Sequence, residues 1–328
     1  MTAPLVTRVS RADAAAVGDA VHWLRAGGLV AFPTETVYGL GADATNAHAV
    51  ARLYDAKGRP AFNPLISHVT GVAAAQKLAR FDGNAAKLAE AFWPGPLTLV
   101  LPKADGCPVA ELATSGLDSI AVRVPHHDVA QKILAAFGRP VVAPSANRSG
   151  HVSPTTAGHV LADLRGRIEL IVDGGASPVG VESTVVACLG PPMLLRPGGL
   201  PREDIERVLG FALASAPPQA ASDDAPLAPG MLTSHYAPRT LLRLDANAVT
   251  AGEALLAFGP SRIEGAENAK ATLNLSQSGD LIEAAANLFS HLRTLDGAGA
   301  PMIAVMPIPH DGLGEAINDR LKRAAAPR

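Results

Sequence analysis

The feature that most constrains the fold is residues 28–46, where a short apolar run leads into a stretch rich in polar side chains and glycine. Residues 28–32 have the length and composition of a buried strand, and Pro33 ends that strand because it has no N–H to donate. Residues 34–38 supply hydrogen-bonding side chains, and Asn46 is a suitable N-cap for the next helix. An ordinary strand-to-helix connection is the alternative, but such connections are seldom this long. The pattern predicts an α/β fold with a ligand site at this strand end.

Gly39 and Gly41 within the polar stretch allow a sharp turn or a close approach of the backbone to a ligand. With Ala44 they fit the pattern G-x-G-x-x-A of dinucleotide-binding loops. That pattern normally begins directly at the strand end, whereas here residues 33–38 intervene. The match is weak evidence, and we interpret the whole stretch after the strand as one polar loop.

The chain on either side of this stretch continues to alternate helices and strands. Ser10 followed by Asp13 resembles a capping box that starts the first helix. Lys57 and Arg59 lie at the C-terminal end of the helix predicted over 47–57, and favourable charge near a helix C-terminus is the common alternative for both. His68 is predicted at the end of a strand, where a structural histidine is the alternative to a functional one.

Further polar groups follow at later strand ends. The strand predicted over 119–125 alternates so that Arg123 points away from the apolar row, and a solvent-facing arginine is the alternative. The strand predicted over 140–143 ends in the polar loop 144–150. Residues 153–155 are predicted to begin a helix, whose N-terminus would be a natural anion site.

A change in composition at Phe211 predicts two domains. Residues 211–229 are mostly Ala, Pro, Ser and Asp with little periodicity, which is typical of a linker. Strands predicted over 241–244, 254–258 and 303–306 then restore the α/β rhythm, with helices near 281–295 and 313–323. We predict a first domain over 1–210, a linker segment over 211–238 and a small α/β domain over 239–328.

Composition excludes several classes of protein. A net charge of −2 in 328 residues gives no electrostatic footprint for non-specific nucleic-acid binding. Cys107 and Cys188 are far apart, which argues against a zinc site and a disulfide framework. No signal peptide or membrane span is recognisable, so a soluble cytoplasmic protein is expected.

Motifs of covalent and metal-dependent enzymes are missing from the sequence. It contains neither G-x-x-x-x-G-K-[ST] nor H-E-x-x-H, and Ser145 does not lie in a G-x-S-x-G elbow. The predicted strand ends instead carry Thr, Ser, Asn, Lys and Arg, which bind phosphates and small polar substrates. This composition favours chemistry performed by positioning and charge neutralisation.

These polar segments together resemble the YrdC-like family, and the whole layout resembles its long two-domain form, the threonylcarbamoyl-AMP synthases. Each motif is weak alone, but their order and spacing are specific. The resemblance spans roughly residues 10–328 and rests on segments 33–40, 57–60, 63–65, 93–98, 123–125, 145–150, 196–198 and 229–238.

The resemblance implies a twisted, open, mixed sheet with helices, followed by a smaller Rossmann-like domain. It also implies a reaction, in which L-threonine, bicarbonate or carbon dioxide, and ATP with Mg²⁺ give threonylcarbamoyl-adenylate and pyrophosphate. Downstream proteins would transfer the threonylcarbamoyl group to tRNA beside the anticodon, with weak tRNA contact by this chain and no membrane contact.

Site residues follow from the same resemblance, with Lys57, Arg59 and Arg196 expected to neutralise charge during catalysis. Tyr236 is expected to close over the nucleotide, and no protein side chain is identified as a metal ligand. The nucleotide side would consist of Lys57, Arg59, Asn63, Ser119, Ser145, Asn147, Ser153, Arg196 and Tyr236. The threonine side would consist of Thr36, His68, Arg123, Ala143 through its backbone, and Ser183.

Two other functions remain open from the sequence. A non-catalytic RNA-binding or ribosome-maturation module would use the same Lys and Arg residues on RNA phosphates, although the chain lacks a basic stripe. A carbamoyltransferase acting through a carbamoyl-adenylate, as in hydrogenase maturation proteins, is the other alternative. The zinc-finger and acylphosphatase segments of those proteins are not recognisable here.

Overall fold

The structure is a computed structural model that describes residues 5–215 and 236–327. The first domain contains an eleven-stranded sheet. Its strands are β1 Arg8–Arg11, β2 Val30–Phe32, β3 Gly39–Asp43, β4 Ile66–His68, β5 Leu97–Pro102, β6 Ser119–Arg123, β7 Val141–Val142, β8 Leu170–Asp173, β9 Thr184–Ala187, β10 Met193–Arg196 and β11 Ala214–Ser215. Its helices are α1 Ala14–Arg25, α2 Ala47–Lys57, α3 Val72–Ala75, α4 Gly83–Phe92, α5 Asp128–Phe137, α6 Ala157–Leu164 and α7 Arg202–Leu209.

Parallel and antiparallel pairs are mixed in this sheet, whose strand order is β1-β8-β2-β3-β7-β4-β6-β5-β9-β10-β11. Helices cover both faces, so central strands are buried on both sides. In β2, Val30 and Phe32 pack towards α1 and α5, whereas Ala31 belongs to the core that includes α2 and α4. The continuous apolar run is explained by this double burial, and the predicted mixed α/β sheet is confirmed.

The prediction of one long polar loop after β2 is wrong. Residues 39–43 form β3, which pairs antiparallel with β2, so that Gly39 faces Phe32 and Gly41 faces Val30. A Cβ atom on Gly41 would lie 2.6 Å from Cε1 of Phe32. Glycine is therefore needed for close packing in a strand, and the polar loop is confined to residues 33–38.

Two predicted helix starts are also wrong. Ser10 lies in β1, which pairs with β8, and α1 is capped by Asp13, whose Oδ1 accepts from the Ala16 amide at 2.8 Å. Helix α6 begins at Ala157 with Thr156 as its N-cap, so Ser153 does not lie at a helix N-terminus. By contrast, the predicted N-cap Asn46 is confirmed, because Oδ1 accepts from two amides of α2.

The C-terminal domain consists of β12 Leu241–Arg243, β13 Ala254–Ala257, β14 Ala271–Asn274, α8 Leu281–Asp296, β15 Met302–Val305 and α9 Leu313–Ala325. The four strands form an all-parallel sheet of order β12-β15-β13-β14. The strands predicted near 241, 254 and 303 are confirmed, whereas β14, none of whose four residues is buried, was not predicted.

The two domains share a hydrophobic core. Val37, Val152 and Val181 of the first domain belong to the cluster formed by the apolar faces of α8 and α9. Gly180 passes so close to α8 that a Cβ atom there would lie 2.3 Å from the Ala285 carbonyl oxygen. Much of the segment predicted as a linker, 216–235, lies outside the described residues. The exact domain boundaries stay a prediction.

No helix within the described residues is long and apolar enough to span a membrane.

Candidate functional site

A small cavity of about 40 Å³ lies where several strands of the large sheet end. Nine of the fourteen predicted site residues line it. They are Thr36, Arg59, His68, Arg123, Ala143, Ser145, Ser183, Arg196 and Tyr236.

Strand pairing explains why residues far apart in the sequence meet at this cavity. His68 ends β4 and Arg123 ends β6, and the two are direct partners in the parallel β4–β6 ladder. His68 also pairs with Val141 of β7, which places the segment after β7, including Ala143, on the other side of β4. Carboxyl ends of parallel strands meet at one edge of a sheet, where ligands commonly bind.

Arg123 is buried and paired, so the solvent-facing alternative for this residue is wrong. Its Nη2 lies 2.8 Å from Oε1 of Glu35, and Nε donates to the Gly95 carbonyl at 3.3 Å. Arg123 lines the cavity, whereas Glu35 is not part of the lining. Within the described residues Nη1 makes no hydrogen bond, which leaves a donor for an anionic ligand.

Uncharged polar groups line the cavity together with Arg123. His68 is buried, and this burial together with the charge of Arg123 lowers the pKa of His68 to about 3. The ring is therefore neutral at physiological pH, with Nδ1 3.1 Å from the Ile66 carbonyl. The hydroxyl of Thr36 shares a hydrogen bond with Thr34, and Ser183 shares one with Thr98, both at 2.8 Å.

Arg59 and Arg196 also line the cavity and supply further positive charge. Arg59 donates from Nη2 to Asn63 Oδ1 at 2.6 Å and to the Pro64 carbonyl at 3.0 Å. Arg196 donates from Nη2 to the Ser183 carbonyl at 2.7 Å. Burial lowers the pKa of Arg59 to about 10 and also lowers that of Arg196. Both side chains carry a full charge at neutral pH.

Lys57 does not line the cavity in this structure. Its Nζ donates to the carbonyl oxygens of Ser145 and Asn147 at 2.6 and 2.5 Å. Burial, and secondarily Arg59, lower its pKa well below the usual value. Lys57 therefore holds the loop that carries Ser145, and its predicted role in charge neutralisation stays a prediction.

The other predicted site residues outside the cavity lining form hydrogen bonds with neighbouring residues or lie away from the cavity. Asn63 accepts from Arg59, and Ser153 donates to Glu182 at 2.5 Å. Asn147 donates to the Arg148 and His151 carbonyls, while its buried Oδ1 has no partner in the described part of the chain. Ser119 begins β6, the strand that Arg123 ends, and the cavity does not reach it.

Glu182 and Arg320 are important residues that sequence analysis did not assign to the site. Glu182 is the one carboxylate among the described residues of the cavity wall, and its Oε2 lies 2.9 Å from Nε of Arg320 in α9. Arg320 occupies the same helix face as the buried Ile317 and Leu321. An arginine within an apolar helix face was a usable signal, because buried charges need partners.

The described residues contain no group of three or more His, Cys, Asp or Glu side chains that could hold a metal ion. Both glutamates near the cavity, Glu35 and Glu182, form ion pairs with arginines. The described side chains of the cavity therefore offer mainly hydrogen-bond donors and positive charge.

The fold and cavity define a two-domain α/β protein with a small polar site walled by arginines. Residues 22–198 match the Sua5–YciO–YrdC family model, described as "Telomere recombination". Residues 200–326 match the model described as "Threonylcarbamoyl-AMP synthase, C-terminal domain". The chain belongs to the Sua5–YciO–YrdC family, as its motifs predicted, and carries that C-terminal domain.

Relatives of similar length support this membership. The threonylcarbamoyl-AMP synthase of Pyrococcus abyssi is 44% identical over 327 residues, covering 94% of each chain. The Bacillus subtilis synthase is 40% identical and covers 95% of this chain and 93% of its own.

Solved structures agree with the fold. The crystal structure of P. abyssi Sua5 complexed with L-threonine superposes with a TM-score of 0.86 at 40% identity, covering 98% of this chain and 97% of that one. E. coli YciO, at 22% identity and a TM-score of 0.52, covers 59% of this chain and 96% of its own, and shares the fold.

Proposed function

We propose that the protein is a threonylcarbamoyl-AMP synthase, which joins L-threonine, bicarbonate or carbon dioxide, and ATP into threonylcarbamoyl-adenylate with release of pyrophosphate. The observation that carries this proposal is the placement of three arginines around one cavity, with Arg123 and Arg196 buried and Arg59 half-buried. Arg123 and His68 end neighbouring strands, whereas Arg59 and Arg196 lie close enough to interact electrostatically with each other. Such an arrangement of charges suits two different anionic substrates held side by side, for which the cavity of about 40 Å³ must open.

The end of the cavity around Arg123 suits the amino acid. The guanidinium is fixed by Glu35 and Gly95, and its Nη1 is available to the threonine carboxylate. The hydroxyl groups of Thr36 and Ser183 provide neutral hydrogen-bonding partners for the amine and side-chain hydroxyl. His68 adds no charge there because it is neutral. The ion pair between Arg123 and Glu35 therefore lets this end of the cavity bind a carboxylate, while it binds a phosphate only weakly.

The end around Arg59 and Arg196 suits the triphosphate. Both guanidinium groups are held by protein carbonyl or amide oxygens and are therefore preorganised. ATP would enter as its magnesium complex, with the ion carried by the phosphates and water because no carboxylate cluster is offered. Lys57 would support this end by fixing the loop that includes Ser145.

The chemistry needs no protein nucleophile. The amine of threonine adds to carbon dioxide and loses a proton, which gives an anionic carbamate. A carbamate oxygen attacks the α-phosphorus of ATP, and the bond from that phosphorus to the bridging oxygen breaks to release pyrophosphate. Two unit charges at 4 Å repel by about 4 kcal/mol at an effective dielectric constant of 20. The arginines reduce this barrier by positioning and charge neutralisation.

The product would be consumed outside this chain. The proposal includes downstream proteins that transfer the threonylcarbamoyl group to tRNA, a weak contact of this chain with tRNA, and a cytoplasmic location. A non-catalytic RNA-binding module remains the second candidate. It is favoured by the same arginines but disfavoured by their burial, since 4% exposure of Arg123 and of Arg196 keeps them from a phosphate backbone.

Pyrophosphate release from ATP tests the proposal. We expect release only with both L-threonine and bicarbonate present, and a slower rate when serine replaces threonine. ATP cleavage that is indifferent to threonine and bicarbonate would contradict the substrate assignment. Steeply salt-dependent RNA binding without ATP turnover would support the second candidate instead.

A further inference from the structure

Arg320 is a fully buried arginine that belongs to the C-terminal domain but contacts the first domain. It lies on α9 and has 0% exposed surface. Its Nε donates to Glu182 Oε2 at 2.9 Å, and its Nη1 donates to the Pro197 carbonyl at 2.9 Å. Nη1 also contacts Asp319 on the same helix at 2.7 Å. A buried charge persists when its partners are this well placed.

Glu182 connects Arg320 to the cavity. One carboxylate oxygen accepts from Ser153 and the other from Arg320. Glu182 is the one acid on a wall that also carries Arg59, Arg123 and Arg196, counted over the described residues. An unneutralised carboxylate at this place would repel an anionic phosphate.

The charge states agree with this arrangement. Burial raises the pKa of Glu182, but Arg320, then Arg196 and the Ser153 hydrogen bond outweigh burial and lower it overall. For Arg320, burial lowers the pKa, whereas its surroundings, including Glu182 and Asp319, raise it overall. Both groups are therefore charged at neutral pH, and the pair is an ion pair.

Arg320 also contacts Tyr236, which lines the cavity. The guanidinium carbon lies 5.2 Å from the centroid of the Tyr236 ring, within the range of a cation–π contact. The same ring stacks on Phe289 of α8, with centroids 5.5 Å apart and an interplanar angle of 23°. Tyr236 has φ of 62°, a left-handed conformation that side chains seldom adopt, so these contacts hold a strained residue.

We propose that Arg320 is a positioning residue of the active site, supplied by the C-terminal domain, which neutralises Glu182 and fixes Tyr236 so that the cavity accepts a triphosphate. This inference rests on the proposed function. It gives the C-terminal domain an indirect part in nucleotide binding. Arg320 acts through Glu182 and Tyr236 and is not itself among the residues that line the cavity.

A purely structural role is the competing explanation, and the molecule provides a matched control for it. Arg202 of α7 forms a second ion pair across the domain interface, with Nη2 2.5 Å from Oε1 of Glu315 on α9. Neither residue belongs to the cavity wall. Loss of this pair weakens the domain contact without changing the charge at the site.

The test compares ATP binding in Arg320→Met, Glu182→Gln, the double variant Glu182→Gln/Arg320→Met and Arg202→Met. Calorimetric titration with ATP and Mg²⁺ is done without threonine, and KM for threonine is measured separately. We expect Arg320→Met to weaken ATP binding about tenfold or more, because it leaves Glu182 charged and unpaired. Glu182→Gln breaks the same ion pair but removes the negative charge, so ATP binding stays equal or becomes tighter.

The remaining variants decide between the two explanations. The double variant is expected to bind ATP within about threefold of the wild type, and Arg202→Met within about twofold. KM for threonine stays within about twofold in every variant. Equal weakening by Arg320→Met and Glu182→Gln, or by Arg320→Met and Arg202→Met, would overturn the proposal in favour of a structural role.

Two further outcomes are also decisive. If Arg320→Met does not fold, weakened ATP binding by Glu182→Gln alone overturns the inference, and equal or tighter binding supports it. A wild-type protein that binds no ATP refutes the proposed function, whereas a wild type that binds ATP together with an unaffected Arg320→Met refutes only the role of Arg320.

Discussion

Two buried arginine–glutamate ion pairs border the same cavity, and they are arranged in opposite ways. In the pair Arg123–Glu35, the arginine lines the cavity and the glutamate stands behind it. In the pair Arg320–Glu182, the glutamate lines the cavity and the arginine stands behind it. The first pair lies within one domain, and the second joins the two domains.

The orientation of a buried ion pair decides which of its two charges a ligand in the cavity meets, and the presence of the pair alone does not. A pair with its cation at the wall offers a donor to an anionic ligand, as Arg123 does. A pair with its anion at the wall contributes a neutralised acceptor that can hold Ser153 and shape the cavity. At the end of the cavity that we propose for the nucleotide, the attractive charge must come from other residues, namely Arg59 and Arg196.

We therefore expect the largest effect on activity when the proposed nucleotide end of the cavity loses the positive charge of Arg59. We expect Arg59→Ala to lower kcat/KM by about a thousandfold, as for the loss of a preorganised charged donor. The measurement is pyrophosphate release at saturating threonine, with circular dichroism to confirm the fold. Arg139→Ala, at an arginine whose side chain is 57% exposed, is the control. Normal rates in Arg59→Ala would remove the assigned role.

The next largest effect tests the end where the cation faces the cavity. Arg123→Lys keeps the charge but loses the planar guanidinium, which contacts Glu35 and the Gly95 carbonyl and still offers Nη1 to a ligand. We expect KM for threonine to rise on the order of a hundredfold, about 2–3 kcal/mol, while KM for ATP changes little. Steady-state kinetics with each substrate varied would show the split. A parallel rise in both KM values would mean that the two ends are not separate.

An intermediate effect is expected on stability at low pH, because burial and the charge of Arg123 keep His68 neutral. The pKa of His68 is about 3 in the folded chain, against an ordinary value of 6.5, so below pH 6.5 the unfolded chain binds a proton that the folded chain does not. Stability therefore falls as the pH falls from 6.5 towards 3, by about 2 kcal/mol at pH 5.

Urea unfolding of wild type and His68→Gln at pH 7 and pH 5 measures this contribution. The variant should lose less stability over that interval than the wild type. His126→Gln, at an exposed histidine, should keep the wild-type dependence. Identical pH dependence in wild type and His68→Gln would show that His68 is not held neutral.

We expect the smallest effect when Glu182, whose carboxylate faces the cavity, loses the hydrogen bond that it accepts from Ser153. Ser153→Ala removes the donor to Glu182, and about 1 kcal/mol of lost positioning corresponds to roughly a fivefold rise in KM for ATP. Ser177→Ala is a matched control, because Ser177 is a buried serine whose hydroxyl has no partner within the described residues. An equal response of both variants would mean that the serine at 153 only fills space.

Sequence patterns predicted the parts of the fold that depend on local chemistry. Asn46 was recognised as an N-cap because capping needs only a side-chain oxygen next to a helix start. Helix α8 was recognised from the regular spacing of its apolar residues, and β2 from its continuous apolar run, because burial on one side or on both sides imposes these patterns. The order of the polar segments was sufficient to indicate the family.

The errors came from features that depend on pairing partners. Residues 39–43 were taken for loop, although β2 pairs with them, because glycine in a strand is chosen to suit its neighbour. Ser153 was assigned to a helix N-terminus, although it donates to Glu182 from another segment. No local signal reports either contact.

The sequence by itself determined the secondary-structure rhythm, the two-domain layout, the family and most residues that line the cavity. Their types and order carry that information, because propensity, capping and apolar spacing act over short distances along the chain. Only the tertiary structure decided that Lys57 holds a loop, that Glu182 faces the cavity and that Arg320 stands behind it. Contacts between residues 138 positions apart are fixed by how the domains pack, and a charge acquires its role from the partner that packing provides.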